Sequence, residues 1–315
     1  MPALDPDVEF LLELGRKAGR PPFETLTPEQ ARAAYALTWD ALQPPAEPVA
    51  SVRDDAIAGK QGPIAVRIYR GAGTQATDAL PCMVFLHGGG WLFGNLESHD
   101  RLCRRIANLA RICVVAVDYR LAPEHRFPAA LDDSATALQW VADNAQALHV
   151  APTRIGVGGD SAGGNLAAVL ALMGRDGDAP ASIYQALLYP VVDLRQQGDS
   201  YRKVAGVPLT AATMNYFIEH YTPQMSERLD WRASPMLAKS LAGTPPALVL
   251  TVAHDPLCDE GRAYARRLED EGVRTTSIHL SDHIHGMLMQ GRIVRAANLA
   301  VDQIGAAIGA AMHRT

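Results

Sequence analysis

The 315-residue chain has few of the features that mark several classes of protein. It contains four cysteines and no Cys-x-x-Cys pair, too few for a disulfide scaffold. It has no run of 18 apolar residues, so the sequence offers no spanning helix and no stable membrane anchor. Its 29 Lys and Arg stand against 34 Asp and Glu, a net charge of −5, which leaves no basic excess for binding nucleic acid.

Further absences concern location and cofactors. Residues 1–7 lack the basic and then apolar pattern of a signal peptide, so we expect a soluble, cytoplasmic protein with reduced cysteines. Residues 156–161 begin like a dinucleotide-binding loop, but serine replaces its third glycine and no acidic residue ends a following strand. His279, His283 and His285 cluster without an HExxH motif or further ligands at metal spacing. We therefore expect no metal and no cofactor.

The residues that are present suit a layered α/β fold. Apolar residues make up 48% of the chain and charged residues 20%, as in a globular protein. From residue 80 onward, short runs that are apolar on both faces alternate with segments of helical length, a pattern typical of a parallel sheet covered by helices. The predicted strands are 82–86, 112–117, 155–157, 183–189, 247–252 and 275–280, and the predicted helices are about 100–110, 129–147, 162–173, 260–271 and 293–312.

Two segments lie outside this alternation. Residues 1–48 are predicted to be helical, with Thr27 as an N-cap, Pro28 at the first helical position and Gln30 closing a capping box. Residues 195–235 carry aromatic side chains on a mostly helical pattern. An insertion at the carboxyl edge of a parallel sheet often forms a lid, so we expect this one to do so. Residues 51–58 and 64–69 read as a hairpin.

The sharpest motif is Gly159-Asp160-Ser161-Ala162-Gly163, which follows a predicted strand and opens a predicted helix. In this G-x-S-x-G pattern the turn is too sharp for side chains at its two ends, so glycine is needed there and the serine hydroxyl is exposed above the sheet. A glycine-rich helix start that only packs closely is the alternative, and the strand–turn–helix setting favours a nucleophile.

A second motif, His87-Gly88-Gly89-Gly90-Trp91, follows the strand predicted at 82–86. Three successive glycines allow backbone N–H groups to turn toward one point. Two of these groups, together with the N–H of the residue after the nucleophile, form an oxyanion hole in lipases and esterases. We assign the hole to Gly88, Gly89 and Ala162. A flexible glycine loop is the alternative, and it is disfavoured beside the serine motif.

A catalytic serine needs an acid and a base later in the chain. Asp255 follows the strand predicted at 247–252, whereas its rivals Asp259 and Glu260 open the next helix, where acidic residues are favoured for their interaction with the helix dipole. The base is His283 or His285, since both follow the last predicted strand and spacing alone leaves the two open.

Together these motifs resemble the hormone-sensitive lipase family of bacterial esterases (family IV, GDSAGG subgroup) of the α/β-hydrolase superfamily. The family places its acid first in an Asp-Pro-Leu block and its base before a glycine, which implies Asp255 and His285. Met287 and Cys258 depart from the family's usual Phe and Arg without removing a catalytic group. The matching blocks keep the family's order across residues 80–290 and lie at 87–91, 118–133, 159–165, 255–260 and 285–286.

The resemblance implies an α/β-hydrolase fold with a mostly parallel central sheet, helices on both faces and a helical cap. Residues 1–48 would supply cap helices, and residues 49–315 the catalytic domain with a cap insertion at about 195–235. It also implies a serine carboxylesterase that cleaves small-molecule esters of short to medium acyl chains through Ser161, His285 and Asp255, and a homodimer formed through the last strand and its neighbouring helix. Amide, lactone or carbamate hydrolysis by the same triad stays open. A non-catalytic ligand-binding homologue is disfavoured because the histidine is present.

Overall fold

A computed structural model describes residues 2–314 and has one eight-stranded sheet at its centre. The strand order is β1-β2-β4-β3-β5-β6-β7-β8. β2 runs antiparallel to β1 and β4, and the six strands β3 to β8 run parallel to one another. The strands are β1 (Ser51–Gly59), β2 (Gly62–Arg70), β3 (Leu80–Leu86), β4 (Cys113–Asp118), β5 (Val150–Asp160), β6 (Gln185–Leu188), β7 (Ala247–His254) and β8 (Thr275–Ile284).

Ten α-helices accompany the sheet within the described residues. They are α1 (Pro6–Lys17), α2 (Pro28–Leu42), α3 (Leu96–Ala110), α4 (Ala129–Asp143), α5 (Ala162–Asp176), α6 (Ser200–Lys203), α7 (Ala211–Tyr221), α8 (Met225–Arg228), α9 (Cys258–Asp270) and α10 (Arg295–Met312). None of the helices in residues 2–314 is both long and apolar enough to cross a bilayer.

The sheet is buried on both faces. Along β3, Val84 and Leu86 belong to a core shared with α4 and α5, whereas Met83 and Phe85 belong to a core shared with α3 and α10. Successive side chains of a strand point to opposite faces, so a strand covered on both sides must be apolar at every position. The predicted α/β fold with its mostly parallel sheet is confirmed.

Some element bounds differ from the prediction for local reasons. β5 starts five residues earlier than predicted. Pro152 and Thr153 are exposed and interrupt the apolar run, but the backbone stays extended through them. α3 starts at Leu96 rather than near residue 100. Asn95 caps it, since its side chain accepts the N–H of Ser98 at 2.8 Å.

The two segments outside the alternating pattern contact each other. Thr27 and Gln30 form the predicted capping box at the start of α2. The predicted helical character of residues 195–235 is right for α6, α7 and α8, which are separated by loops. The Thr213 hydroxyl on α7 donates to Glu24 Oε2 at 2.8 Å, so the insertion meets the N-terminal segment.

Candidate active site

The predicted nucleophile lies at the sharp turn between β5 and α5. Ser161 has φ 57° and ψ −116°, a conformation that non-glycine residues rarely adopt. A Cβ atom at Gly159 or at Gly163 would overlap the carbonyl oxygen of Leu86 on the neighbouring strand. Both ends of the motif must therefore be glycine for α5 to start this close to β3, and the serine between them takes up the backbone strain.

Three predicted residues meet at the carboxyl ends of β5, β7 and β8. The Ser161 Oγ lies 2.9 Å from His285 Nε2, and His285 Nδ1 lies 2.7 Å from Asp255 Oδ2. Asp255 is fully buried, and its other oxygen accepts the N–H of Leu257 at 2.8 Å. A carboxylate only accepts hydrogen bonds, so Nδ1 carries the imidazole proton and Nε2 is left to accept the serine proton.

The rival residues have other partners. His283 Nδ1 pairs with the carboxylate of Asp282 at 2.6 Å. Asp259 Oδ2 accepts the N–H of Ser200 at 2.8 Å at the start of α6. Of the two histidines that spacing left open, the structure brings His285 to the serine.

Glu260, the third candidate acid, connects the start of α9 to the loop after β6 and to α6. Its Oε1 accepts the N–H of Val192 at 2.7 Å, and its Oε2 accepts the hydroxyl of Tyr201 at 3.0 Å. Burial raises the pKa of this carboxyl to about 8, because its partners are neutral donors rather than cations. Asn165 supports the same region by donating to the Val191 carbonyl at 2.9 Å.

The glycine loop differs from the prediction at one position. The N–H of Gly88, which we assigned to the oxyanion hole, donates to Asp160 Oδ1 at 2.8 Å. The N–H groups of Gly89, Gly90 and Ala162 meet no acceptor among residues 2–314. Asp160 ends β5 beside β3, so its side chain reaches the first glycine after β3. This contact depends on strand neighbours 72 residues apart, which the local sequence does not reveal.

A second histidine stands behind this loop. His99 Nε2 lies 3.1 Å from Asp160 Oδ1, and its Nδ1 lies 2.8 Å from the hydroxyl of Ser98. Burial alone would raise the pKa of Asp160, but His99 and the Gly88 N–H outweigh it and hold that pKa below its usual value. No local motif marks His99, which looks like an ordinary polar residue of a helix.

Arg32 of α2 holds the far side of the glycine loop. Its Nε donates to the Leu92 carbonyl at 2.8 Å, and its Nη2 donates to the Ala122 carbonyl at 2.7 Å. The guanidinium also pairs with both oxygens of Glu124, at 2.8 and 2.6 Å, and lowers the pKa of that carboxyl to about 2. One N-terminal side chain thus joins two segments beside the site.

Aromatic rings from both helical segments also pack on the loop. The ring of Phe93 lies 4.4 Å from that of Tyr35, 5.0 Å from Phe23 and 5.3 Å from Phe217. A Cβ at Gly90 would overlap the Phe217 ring, so the insertion rests directly on a glycine of the loop. The N-terminal segment thus contributes Phe23 and Tyr35 to this apolar cluster, and the insertion contributes Phe217.

The clustered histidines do not share a ligand. His279 Nδ1 bonds to the Thr251 hydroxyl at 2.9 Å, while His283 and His285 bond to different aspartates. Within residues 2–314, no group of three His, Cys, Asp or Glu side chains is arranged to hold a metal ion. The four cysteines are free and buried.

Comparison with known proteins agrees with this geometry. A family model described as the α/β-hydrolase fold matches residues 83–289. The chain is 35% identical over 303 residues to an ethyl acetate hydrolase of Pseudomonas putida, which covers 94% of this chain and 95% of the relative. It is 38% identical over 292 residues to the carboxylic ester hydrolase LipN of Mycobacterium tuberculosis, which covers 90% of this chain and 77% of the relative.

A solved structure extends the match to the whole fold. An α/β-hydrolase enzyme from the metagenome of Lake Arreo, Spain, is 40% identical, has a TM-score of 0.93 and covers 98% of both chains. Its near-complete overlap includes both helical segments as well as the sheet. The chain therefore belongs to the hormone-sensitive lipase-like esterases of the α/β-hydrolase superfamily, a group of carboxylic ester hydrolases.

Proposed function

We propose that the protein hydrolyses carboxylic esters of short to medium acyl chains through an acyl-enzyme on Ser161. The observation that carries the proposal is the continuous hydrogen-bond chain from Ser161 Oγ through His285 to the buried Asp255, at 2.9 and 2.7 Å. This order of hydroxyl, imidazole and carboxylate activates a serine for attack on an acyl group.

The proposed reaction has two half-reactions. Ser161 Oγ bonds to the ester carbonyl carbon while its proton passes to His285 Nε2, and Asp255 stabilises the imidazolium that forms. The tetrahedral intermediate breaks its bond to the alkoxide, which takes the proton from His285 and leaves as an alcohol. Water then attacks the acyl-enzyme with His285 again as base, and the acid and free Ser161 are released.

We propose the oxyanion donors from which backbone N–H groups beside Ser161 are left without an acceptor among residues 2–314. We retain Gly89 and Ala162 from the sequence prediction and propose Gly90 in place of Gly88, because the Gly88 N–H already donates to Asp160. Losing one donor of such a hole typically costs about 3–4 kcal/mol of transition-state stabilisation.

The proposed chain-length preference is supported by the aromatic cluster and by one relative. Phe23, Tyr35, Phe93 and Phe217 pack together beside the glycine loop. We propose that this cluster bounds the acyl site and leaves little room for a long chain. The Pseudomonas relative is named for ethyl acetate, an ester of a two-carbon acid. We also propose that residues 1–48 and about 195–235 form one cap over the site, supported by the bond from Thr213 to Glu24.

A homologous series of p-nitrophenyl esters, acetyl through palmitoyl, tests the proposal. We expect kcat/KM to be highest at short to medium chains and to fall toward palmitoyl. Ser161→Ala, which removes only the hydroxyl, should fold normally and lose nearly all turnover. A fluorophosphonate probe should label Ser161 in the wild-type protein and fail to label the variant.

The outcomes separate the alternatives. A Ser161→Ala variant that keeps more than a few per cent of activity refutes the nucleophile. Labelling without ester turnover points to amides, lactones or carbamates, since the same triad cleaves these bonds when the pocket admits them. A folded protein that neither labels nor turns over is a ligand-binding homologue.

Two further sequence predictions are carried as proposals. We propose a homodimer through β8 and α10, supported by the position of β8 at the sheet edge, where strands readily pair with another chain. Sedimentation of the wild-type protein tests it. A cytoplasmic location is also proposed, and the four free thiols suit a reducing compartment.

A further inference from the structure

Asp160 is a buried carboxylate that the proposed mechanism does not use. Asp160 immediately precedes the proposed nucleophile Ser161 in the chain, and 4% of its surface is exposed to solvent. Its Oδ1 accepts the Gly88 N–H at 2.8 Å and faces His99 Nε2 at 3.1 Å. Burying a carboxylate is costly unless it is paired and hydrogen-bonded. A buried, paired carboxylate at the edge of the active site therefore suggests a role there.

The hydrogen bonds around His99 fix where its proton lies. Its Nδ1 faces the Ser98 hydroxyl at 2.8 Å, and its Nε2 faces Asp160. A carboxylate accepts and cannot donate, so Nε2 carries a hydrogen and donates it to Asp160. The Gly88 nitrogen, which lies 3.3 Å from the same Nε2, therefore has Asp160 as its acceptor. Both donors converge on one oxygen.

We propose that Asp160, supported by His99, is a positioning residue for the oxyanion hole and a second negative charge acting on His285. By accepting the Gly88 N–H it fixes the first glycine of the loop, so that the next two present their N–H groups to Ser161. By its charge it favours the imidazolium form of His285 that arises in each half-reaction. The inference rests on the proposed ester hydrolysis.

The charge of Asp160 can be tested because few neighbouring groups titrate at neutral pH. Burial lowers the pKa of His87 to about 3. Burial also raises the pKa of the Cys103 thiol and of the Tyr35, Tyr119 and Tyr189 phenols well above neutrality. The titratable groups that face Asp160 are Tyr35, His87, His99, Cys103, Tyr119, Tyr189 and His285.

Two substitutions separate the hydrogen bond from the charge. Asp160→Ala removes both, and we expect kcat to fall about tenfold to a hundredfold with KM changed less than threefold, since the donors act chiefly in the transition state. Asp160→Asn keeps an oxygen for the Gly88 N–H, so kcat should fall by less than about fivefold. An Asp160→Ala variant with wild-type kcat refutes the positioning role.

The pH profile of kcat/KM reports the charge. Asp160→Asn removes a negative charge that favours the imidazolium, so the midpoint of the acid limb should move down by about half to one pH unit. Asp133→Asn is the matched control, because Asp133 is also a buried carboxylate but lies on α4 and pairs with Arg120 at 2.8 Å. Its acid limb should stay in place. An unmoved limb in Asp160→Asn refutes the electrostatic role.

Substitutions of His99 test its supporting role. The amide of His99→Gln can still donate to Asp160, whereas His99→Leu cannot. We expect the glutamine variant to keep kcat within about threefold and the leucine variant to lose about tenfold. Equal kcat values for these two variants refute the role of His99.

Failure of this inference is distinguishable from failure of the proposed function. The rate of fluorophosphonate labelling at Ser161 depends on the same oxyanion donors and needs no substrate. If the wild-type protein neither labels nor hydrolyses, the proposed function fails. If it labels and Asp160→Ala labels equally fast, the positioning inference alone fails.

Discussion

The described residues include two serine–histidine–aspartate arrays, and only one of them contains the proposed nucleophile. In one, Ser161 Oγ, His285 and Asp255 are joined by bonds of 2.9 and 2.7 Å. In the other, Ser98 Oγ lies 2.8 Å from His99, which lies 3.1 Å from Asp160. The imidazole is reversed between them, since Asp255 faces Nδ1 of its histidine and Asp160 faces Nε2.

The surroundings of the two hydroxyls account for the difference. Ser98 Oγ also bonds to the backbone of Asn95 as part of the α3 cap, accepting its N–H at 3.0 Å. Its single hydrogen is shared between the Asn95 carbonyl at 2.9 Å and His99 Nδ1. Ser161 Oγ has only His285 as a partner among the described residues, and it stands beside the unpaired N–H of Ala162. A serine that attacks an acyl group thus needs a hydroxyl without other partners and backbone donors nearby. Short hydrogen-bond distances within the array are not sufficient.

Removing each serine hydroxyl gives the largest contrast. Ser161→Ala should lower turnover by a factor of about 10⁴ or more and abolish fluorophosphonate labelling. Ser98→Ala should keep the label and most of the turnover, but lose about 1 kcal/mol of unfolding free energy because α3 loses part of its cap. Mass spectrometry of the labelled peptide and urea unfolding measure the two effects. Any label on Ser98 contradicts the comparison.

The same change at the two carboxylates gives the next contrast. Asp255→Asn should lower kcat by about 10³–10⁴-fold, because the amide no longer holds the tautomer in which Nε2 accepts the serine proton. Asp160→Asn should lower it by less than about fivefold, because its oxygen still accepts the Gly88 N–H. Steady-state kinetics on p-nitrophenyl butyrate, with circular dichroism as a folding control, compare them. Losses of similar size would mean that the arrays do not differ in role.

Glu260 sharpens the comparison as a buried carboxyl without a histidine. Its pKa is raised to about 8 by burial, so the folded protein holds a proton there between pH 4.5 and 8 that the unfolded chain has lost. Its contribution to stability is thus full below pH 4.5 and is lost as the pH rises toward 8. Glu260→Gln removes this titration.

We expect the free energy of unfolding of the wild-type protein, relative to Glu260→Gln, to fall by about 2–4 kcal/mol from pH 5 to pH 9. Urea unfolding at both pH values measures it. Asp160 should show the opposite sign, since its lowered pKa makes its contribution fall only as the solution becomes acidic. Parallel curves for Glu260→Gln and the wild type contradict the assignment.

The sequence predicts best what one strand and its next turn determine. The elbow around Ser161 was predictable because the steric need for Gly159 and Gly163 is local, although the Leu86 carbonyl that enforces it lies on another strand. The α/β sheet followed from strands apolar on both faces. The choice of His285 over His283 needed the family resemblance, because both follow the same strand.

What the sequence missed depends on contacts between distant segments. The direction of the Gly88 N–H is determined by Asp160, which strand pairing brings beside it. His99 and Arg32 lie on helices whose docking positions are not encoded in any short motif. The helical pattern of residues 195–235 is broken by loops before and after α7, which the spacing of its aromatic residues does not reveal.

The contacts of Arg32 and Phe217 have a consequence for bulky substrates. Arg32 holds the Leu92 carbonyl, and the Phe217 ring rests on Gly90, so movement of the helical segments away from the sheet removes two supports of the glycine loop at once. If the helical segments form the proposed cap, we expect the conformations that admit a large ester to differ from those that hold the donors in place. Because the observed rate scales with the population of the competent conformations, we expect large esters to be slowed in the chemical step as well as in binding.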